Sequence, residues 1–200
     1  MKSLKLFLSA LLAGMAIGIG GTVYLSVQSS VVGAVLFAVG LYAICAHGLH
    51  LFTGKVGYVI DEGAGYIGQL AVIWAGNYAG TALTALAVRA SRIAASAERA
   101  SSMCAVKLGD SLISLFALAI FCGLLMFIAV DGYKRTTHPL ILLMCVAAFI
   151  LCGFEHCIAD MFYLSLAGVF TPGALLRLAV ITLGNGAGGV LIPLLRRLPD

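Results

Sequence analysis

The chain has 200 residues, of which 62% are hydrophobic and 10% charged, with a net charge of +4. A soluble domain carries about 25% charged residues, so this chain has too little polar surface to cover a water-soluble globule. Its mean hydropathy of +1.11 points instead to a polytopic membrane protein with one membrane domain, residues 1–200. No basic run exceeds two residues, and the basic residues sit at the ends of apolar segments. That pattern reads as membrane orientation and argues against nucleic-acid binding.

The first apolar run, Leu4 to about Val27, is one span, since a span needs about 20 residues. Its Gly14 and Gly18 form a small-xxx-small pair that lets helices approach closely in lipid. Gln28-Ser29-Ser30 makes a turn. The second run, Val31 to Ile60, is too long for one straight span and carries His47, His50, Thr53, Gly54 and Lys55. A helix broken near residues 47–54 accounts for both features. After the polar loop from Asp61 to Gly65, the third run spans Tyr66 to Val88 and holds Trp74, Gly76-Asn77 and Gly80. Arg89 to Lys107 is the one clearly polar segment and reads as a short surface helix.

The fourth run, Leu108 to Val130, is followed by an expected loop from Asp131 to Thr137. The fifth, from His138 to Phe170, is again too long, and Gly153-Phe154-Glu155-His156 interrupts its middle. Pro172-Gly173 turns the chain into the sixth run, Ala174 to Leu195, which contains Gly184-Asn185 and Gly188-Gly189 and ends at Arg196-Arg197. The expected fold is therefore all-α, with six transmembrane helices of which the second and fifth are broken. The halves, about 1–90 and 108–197, read as a repeat. Gly48-Leu49-His50 aligns with Gly153-Phe154-Glu155, Lys55 with Asp160, and Gly76-Asn77 with Gly184-Asn185. Three spans per half would invert one repeat relative to the other.

With the N-terminus in the cytoplasm, Lys2, Lys5, Lys55, Lys134, Arg135, Arg196 and Arg197 face inward, and Arg89, Arg92, Arg99, Lys107 and Arg177 outward. The bias is inward and places both termini in the cytoplasm of a cell-membrane protein. The arginines after the third span suit either an anion-attracting vestibule or a structural surface helix. The six cysteines show no CxxC or zinc spacing and read as reduced packing residues. No cleavable signal peptide, metal site or cofactor is expected.

Charges at mid-depth in a bilayer are expensive and line a cavity or pair with one another. Glu155, His156, Asp160 and Lys55 all fall there. Their repeat-equivalent positions predict a Lys55–Asp160 ion pair. Glu155 and His50 are expected to satisfy backbone groups freed at the breaks, with Asn77 and Asn185 structural beside them. Half-helix N-termini suit an anion, and His156, inside the break, is the group expected to meet a permeant.

These motifs resemble the formate/nitrite transporter family. Its fifth-span signature is similar to Gly153-Phe154-Glu155-His156 with Ala159 and Met161, and its second-span loop to Leu51-Phe52-Thr53-Gly54. Its third and sixth spans carry motifs like Gly76-Asn77 and Gly184-Asn185. The resemblance implies an aquaporin-like fold, a homopentamer and one pore per protomer for small monovalent anions or their acids, with a proton as co-partner. Formate, nitrite, hydrosulfide, lactate and acetate are the implied permeants. It makes His156 the central pore histidine, Thr53 its hydroxyl partner and Lys107 the lysine that draws anions inward, with Arg99 as a candidate helper. Phe37 and Phe149 would form the outer constriction, and Leu41 and Phe52 the inner one. Phe37 and Leu41 share a helix face, as i and i+4 residues do.

The sequence departs from that family at three places. His50 stands for a Glu, Lys55 and Asp160 stand for Asn residues, and a fourth-span Asn near the pore aligns with Gly123. A long N-terminal gating helix is not expected. Two other readings stay open at this point. One is a water- or glycerol-like channel of similar layout. The other is an intramembrane enzyme or metal protein using His47, His50, Glu155 and His156, which lacks any HExxH or nucleophile–base pattern.

Overall fold

The structure, a computed structural model, describes residues 2–199; the side chain of Lys2, counted above toward orientation, lies outside that description. Among these residues all regular structure is helical. In chain order the helices are α1 (Lys2–Ser26), α2 (Ser30–Ala46), α3 (Phe52–Lys55), a 3-10 turn (Val56–Tyr58), α4 (Val59–Glu62) and α5 (Tyr66–Arg89). There follow α6 (Ser96–Gly109), α7 (Leu112–Thr136), α8 (Leu140–Leu151), α9 (Cys157–Ala167), α10 (Pro172–Gly189) and α11 (Leu191–Leu195). Helices α1, α5 and α7, and α10 extended through α11, are long and apolar enough to cross a membrane. The apolar helices α2, α8 and α9 are shorter. Helix α1 packs on α5, α7 on α10, and α2 on both α1 and α8, while α9 lies between α5 and α6.

Both long runs break as expected, and the local chemistry is the same in each. Helix α2 ends at Ala46, and Gly48 takes φ +63, a left-handed conformation that glycine adopts without strain. The Leu49 N–H returns to the Ile44 carbonyl at 2.9 Å. Helix α8 ends in the same way: Gly153 has φ +69 and the Phe154 N–H returns to the Phe149 carbonyl at 2.9 Å. The chain then runs extended for a few residues before α3 and α9 begin.

A buried asparagine holds each break. Asn77 Oδ1 accepts from the Phe52 N–H at 2.9 Å, and its Nδ2 donates to the carbonyls of Ala10 (2.8 Å) and His50 (2.9 Å). Asn185 Oδ1 accepts from the Cys157 N–H at 2.8 Å, and its Nδ2 donates to Ala119 and Glu155 carbonyls, both at 2.8 Å. Each amide therefore satisfies three buried backbone groups, including two freed by the break. The expectation that Glu155 and His50 do this is overturned: their carbonyls are partners of the asparagines, and their side chains are engaged elsewhere.

Gly14 and Gly123 are among the contact points of the two long-helix crossings. A Cβ on Gly14 would lie 2.1 Å from the Asn77 carbonyl oxygen, and one on Gly123 would lie 2.2 Å from that of Asn185. Gly123 is thus a packing position between α7 and α10. It is not a pore position where an asparagine side chain could stand.

The expected loop at Asp131 is instead the last turn of α7, which runs to Thr136 and ends on a left-handed Thr137 with φ 57. Asp131 fixes this turn. It accepts from Arg135 Nε at 2.8 Å across one helical turn, from Arg196 Nη2 at 2.8 Å and from the Tyr58 hydroxyl at 3.3 Å. The polar segment forms the expected helix α6, although Ala100 and Cys104 on it are buried. All six cysteines are free, and Cys104, Cys122, Cys145 and Cys157 are buried.

Candidate functional site

The two breaks meet at one hydrogen bond. His156 is the N-cap of α9, and its Nδ1 accepts the Ala159 N–H at 3.1 Å. A ring whose Nδ1 accepts is neutral and carries its proton on Nε2, a tautomer assigned from the hydrogen-bond network. The Nε2–H then donates to Thr53 Oγ1, 3.0 Å away on α3. Both side chains are buried, Thr53 at 0% and His156 at 2% exposure. The Phe149 ring stacks on the imidazole (5.5 Å between centroids, 25°), and Phe37 meets Phe149 edge-on at 5.9 Å and 89°. Leu41, one turn further along α2, is also buried. The structure therefore gathers His156, Thr53, Phe149 and Phe37 into one dry cluster.

A cavity lies on each side of it. The first, about 240 Å³, is lined by His156, Phe149, Tyr163, Lys107, Glu155 and Asp160. The second, about 290 Å³, is lined by Leu49, Leu51, Gly54, Tyr133, Lys55 and Lys134. Lys107 precedes the first turn of α7 and Lys134 lies in its last. A helix rises about 1.5 Å per residue, so the two cavities open at opposite ends of the molecule.

The first cavity holds an ionic cluster. Lys107 Nζ contacts the Glu155 carboxylate and lies 2.9 Å from Asp160 Oδ1. The carboxylates are 5% and 3% exposed, and Asp160 Oδ2 is buried without a hydrogen-bond partner. One ammonium thus faces two carboxylates, and the charge of Lys107 is engaged locally instead of being displayed to an incoming anion. The expected Lys55–Asp160 pair is overturned. Asp160 pairs with Lys107, while the Lys55 ammonium sits 5.8 Å above the Tyr58 ring in the other cavity. Positions equivalent along the sequence of the two breaks lie in different cavities and do not face each other.

His50 has a neutral partner: its Nδ1 and Ser9 Oγ are 2.8 Å apart. Phe52 is not beside the Lys55 cavity. It lines a separate apolar cavity with Trp74, Val56 and Leu70, and the neighbouring Leu51 lines the Lys55 side. Leu51 is the extended N-cap of α3 and Phe52 its first helical residue, so the two neighbouring side chains leave the helix start in different directions. Three of the arginines near α6 are structural. Arg99 donates to the Leu25 and Val27 carbonyls at the end of α1, Arg89 to Leu166 O at the end of α9 (3.1 Å), and Arg177 to Lys107 O (3.2 Å). They satisfy helix C-terminal carbonyls, and Arg99 is not available to draw anions. Sequence reading missed Tyr163, Tyr24 and Leu51; no polar or glycine signal sets them apart from other apolar-run residues. Among the described residues, no three His, Cys, Asp or Glu side chains converge as metal ligands.

Comparison with known proteins agrees with this geometry. A family model described as "Formate/nitrite transporter" matches residues 1–197. The chain is 28% identical over 191 residues to formate channel FocB of Escherichia coli (strain K12), covering 83% of this chain and 67% of that protein. It is 25% identical over 190 residues to formate channel FocA of Haemophilus influenzae, covering 82% and 66%. The chain thus spans about two thirds of the length of these relatives. Two solved structures share the fold. One is an "FNT family ion channel" (TM-score 0.85, 24% identity, 98% of this chain and 91% of that chain). The other is a "Pentameric formate channel with formate bound" (TM-score 0.80, 23% identity, 98% and 96%).

Proposed function

The chain belongs to the formate/nitrite transporter family, and from that membership we propose that it is a channel for small monovalent anions or their weak acids. It is a multi-pass membrane protein of a transporter family, with channels as relatives, and not an enzyme. The observation that carries the proposal is the Thr53–His156 hydrogen bond, buried between two cavities that open at opposite ends of the molecule. A permeant between those cavities has to pass this pair.

The proposed path is as follows. An anion loses water against Phe37 and Phe149, an apolar surface that disfavours its charge and raises its affinity for a proton. It then meets the polar pair and crosses as the neutral acid or with a shared proton. The neutral histidine tautomer supports a donor role: with its Nε2–H given to Thr53 Oγ1, the Thr53 hydroxyl hydrogen is left to donate to a permeant between the two cavities. Formate, nitrite, hydrosulfide, acetate and lactate are the candidate permeants. The proposed architecture is six spans in two inverted three-helix repeats, aquaporin-like, assembled as a homopentamer with both termini cytoplasmic. The matched glycine turns and asparagine brackets of the two breaks support the repeat.

The test is stopped-flow uptake into liposomes bearing the purified protein, with the five weak acids and with glycerol. Saturable uptake of at least one acid, absent from empty liposomes, is the expected result. Glycerol or water flux without acid flux would select a neutral-solute channel instead.

A further inference from the structure

We propose that Lys55 and Lys134 form a second anion site, at the mouth opposite Lys107, where a small monovalent anion is held before it reaches Thr53. The proposal rests on reading the chain as an anion channel. Both lysines line the 290 Å³ cavity. Their ammonium groups converge on one aromatic ring, 5.8 Å (Lys55) and 5.1 Å (Lys134) from the Tyr58 centroid. Among the described residues, neither forms an ion pair with a carboxylate.

The nearby acid is already engaged. Asp131 receives the Tyr58 hydroxyl, and Arg135 and Arg196 both bond its Oδ2 at 2.8 Å. One carboxylate is thus matched by two guanidiniums, which leaves this mouth with a surplus of positive charge. Lys55 is half-buried at the cavity wall and Lys134 is exposed at its rim. Two like charges sharing a partly dry cavity repel each other, and a bound anion relieves both at once. Tyr133 also lines the cavity, and its hydroxyl is a hydrogen-bond donor for an anion held there. The cavity reaches Gly54, next to Thr53, so an anion held here stands beside the Thr53–His156 pair.

The opposite mouth lacks this property. There the single ammonium of Lys107 is shared by Glu155 and Asp160, and one carboxylate oxygen is left over. Of the two cavities, the one with a surplus of ammonium charge is therefore that of Lys55 and Lys134. Asp160 and Lys55, the two residues that stand where the resemblance expects asparagine, act together: one withdraws attraction from one mouth and the other adds it at the opposite mouth.

Two measurements test this. The first needs no flux: the rate at which an amine-acylating reagent modifies Lys55 and Lys134 in the purified full chain, mapped by mass spectrometry, in formate, nitrite or gluconate salts of equal ionic strength. Formate and nitrite are expected to slow acylation at both lysines about threefold or more relative to bulky gluconate. The second is formate uptake by liposomes bearing wild type, K134Q or the K55N/K134Q double variant. The double variant is expected to raise the half-saturating formate concentration about tenfold, and K134Q alone to raise it less. Because Lys134 is exposed, K134Q keeps the test alive if the double variant fails to fold. Equal acylation in all three salts, together with unchanged half-saturation in K134Q, would overturn the site. Protection without any formate flux would uphold the site and overturn the channel reading.

Discussion

The two helix breaks have nearly the same backbone and opposite electrostatics. Each ends on a left-handed glycine, Gly48 or Gly153, and each is closed by the three hydrogen bonds of a buried asparagine, Asn77 or Asn185. Yet the first break is held to α1 by a neutral His50–Ser9 contact and carries Lys55, which has no carboxylate partner among the described residues. The second is tied to α6 by Lys107 with two carboxylates. The backbone solution is set by the need to satisfy freed N–H and C=O groups where no water is at hand. The charges are decoration on that frame and can change without disturbing it, which is why a chain with Lys55 and Asp160 can keep the fold of its relatives.

This contrast can be broken at its common element first. Asn77→Ala and Asn185→Ala each leave three buried backbone groups without partners, at about 1–3 kcal/mol per group. Both variants are expected to lose most of their folded yield in detergent, and by similar amounts, measured by size-exclusion chromatography and thermal unfolding. A large loss in one and none in the other would mean that the two breaks are not equivalent. A smaller effect sharpens the difference. Asp160→Asn removes one of the two negative charges around Lys107 while keeping size and shape. The variant is expected to fold and to lower the half-saturating formate concentration for entry from the Lys107 mouth about threefold to tenfold, an electrostatic effect on the order of 1 kcal/mol. An unchanged value would show that Asp160 does not set the charge of that mouth.

Much of the backbone was legible in the sequence, because its signals are local. Overlong apolar runs interrupted by glycine and polar residues mark the breaks in the second and fifth runs, and the Gly-Asn pairs mark their brackets. The His156–Thr53 pair came from resemblance, and the 3.0 Å contact agrees with it. What could not be read was which charges face each other. The alignment of Lys55 with Asp160 says that they occupy similar places in two copies of a motif, which puts them in separate cavities. Lys107, the true partner, lies on α6, outside both breaks, and reaches Asp160 only through the packing of α6 on α9. The Phe52 assignment missed the cavity side for a related reason: Leu51, the extended N-cap of α3, and Phe52, its first helical residue, line different cavities, and apolar neighbours carry no mark of which way each points.

The most direct test of the account is His156→Asn in reconstituted liposomes. Asparagine keeps an N-cap acceptor for the Ala159 N–H but removes the ring between the two cavities. Weak-acid uptake is followed by stopped flow from pH 5 to 8. A folded protein is expected, with formate flux lowered about tenfold or more and a pH profile that differs from that of wild type. Wild-type flux with an unchanged pH profile would contradict the role given to His156.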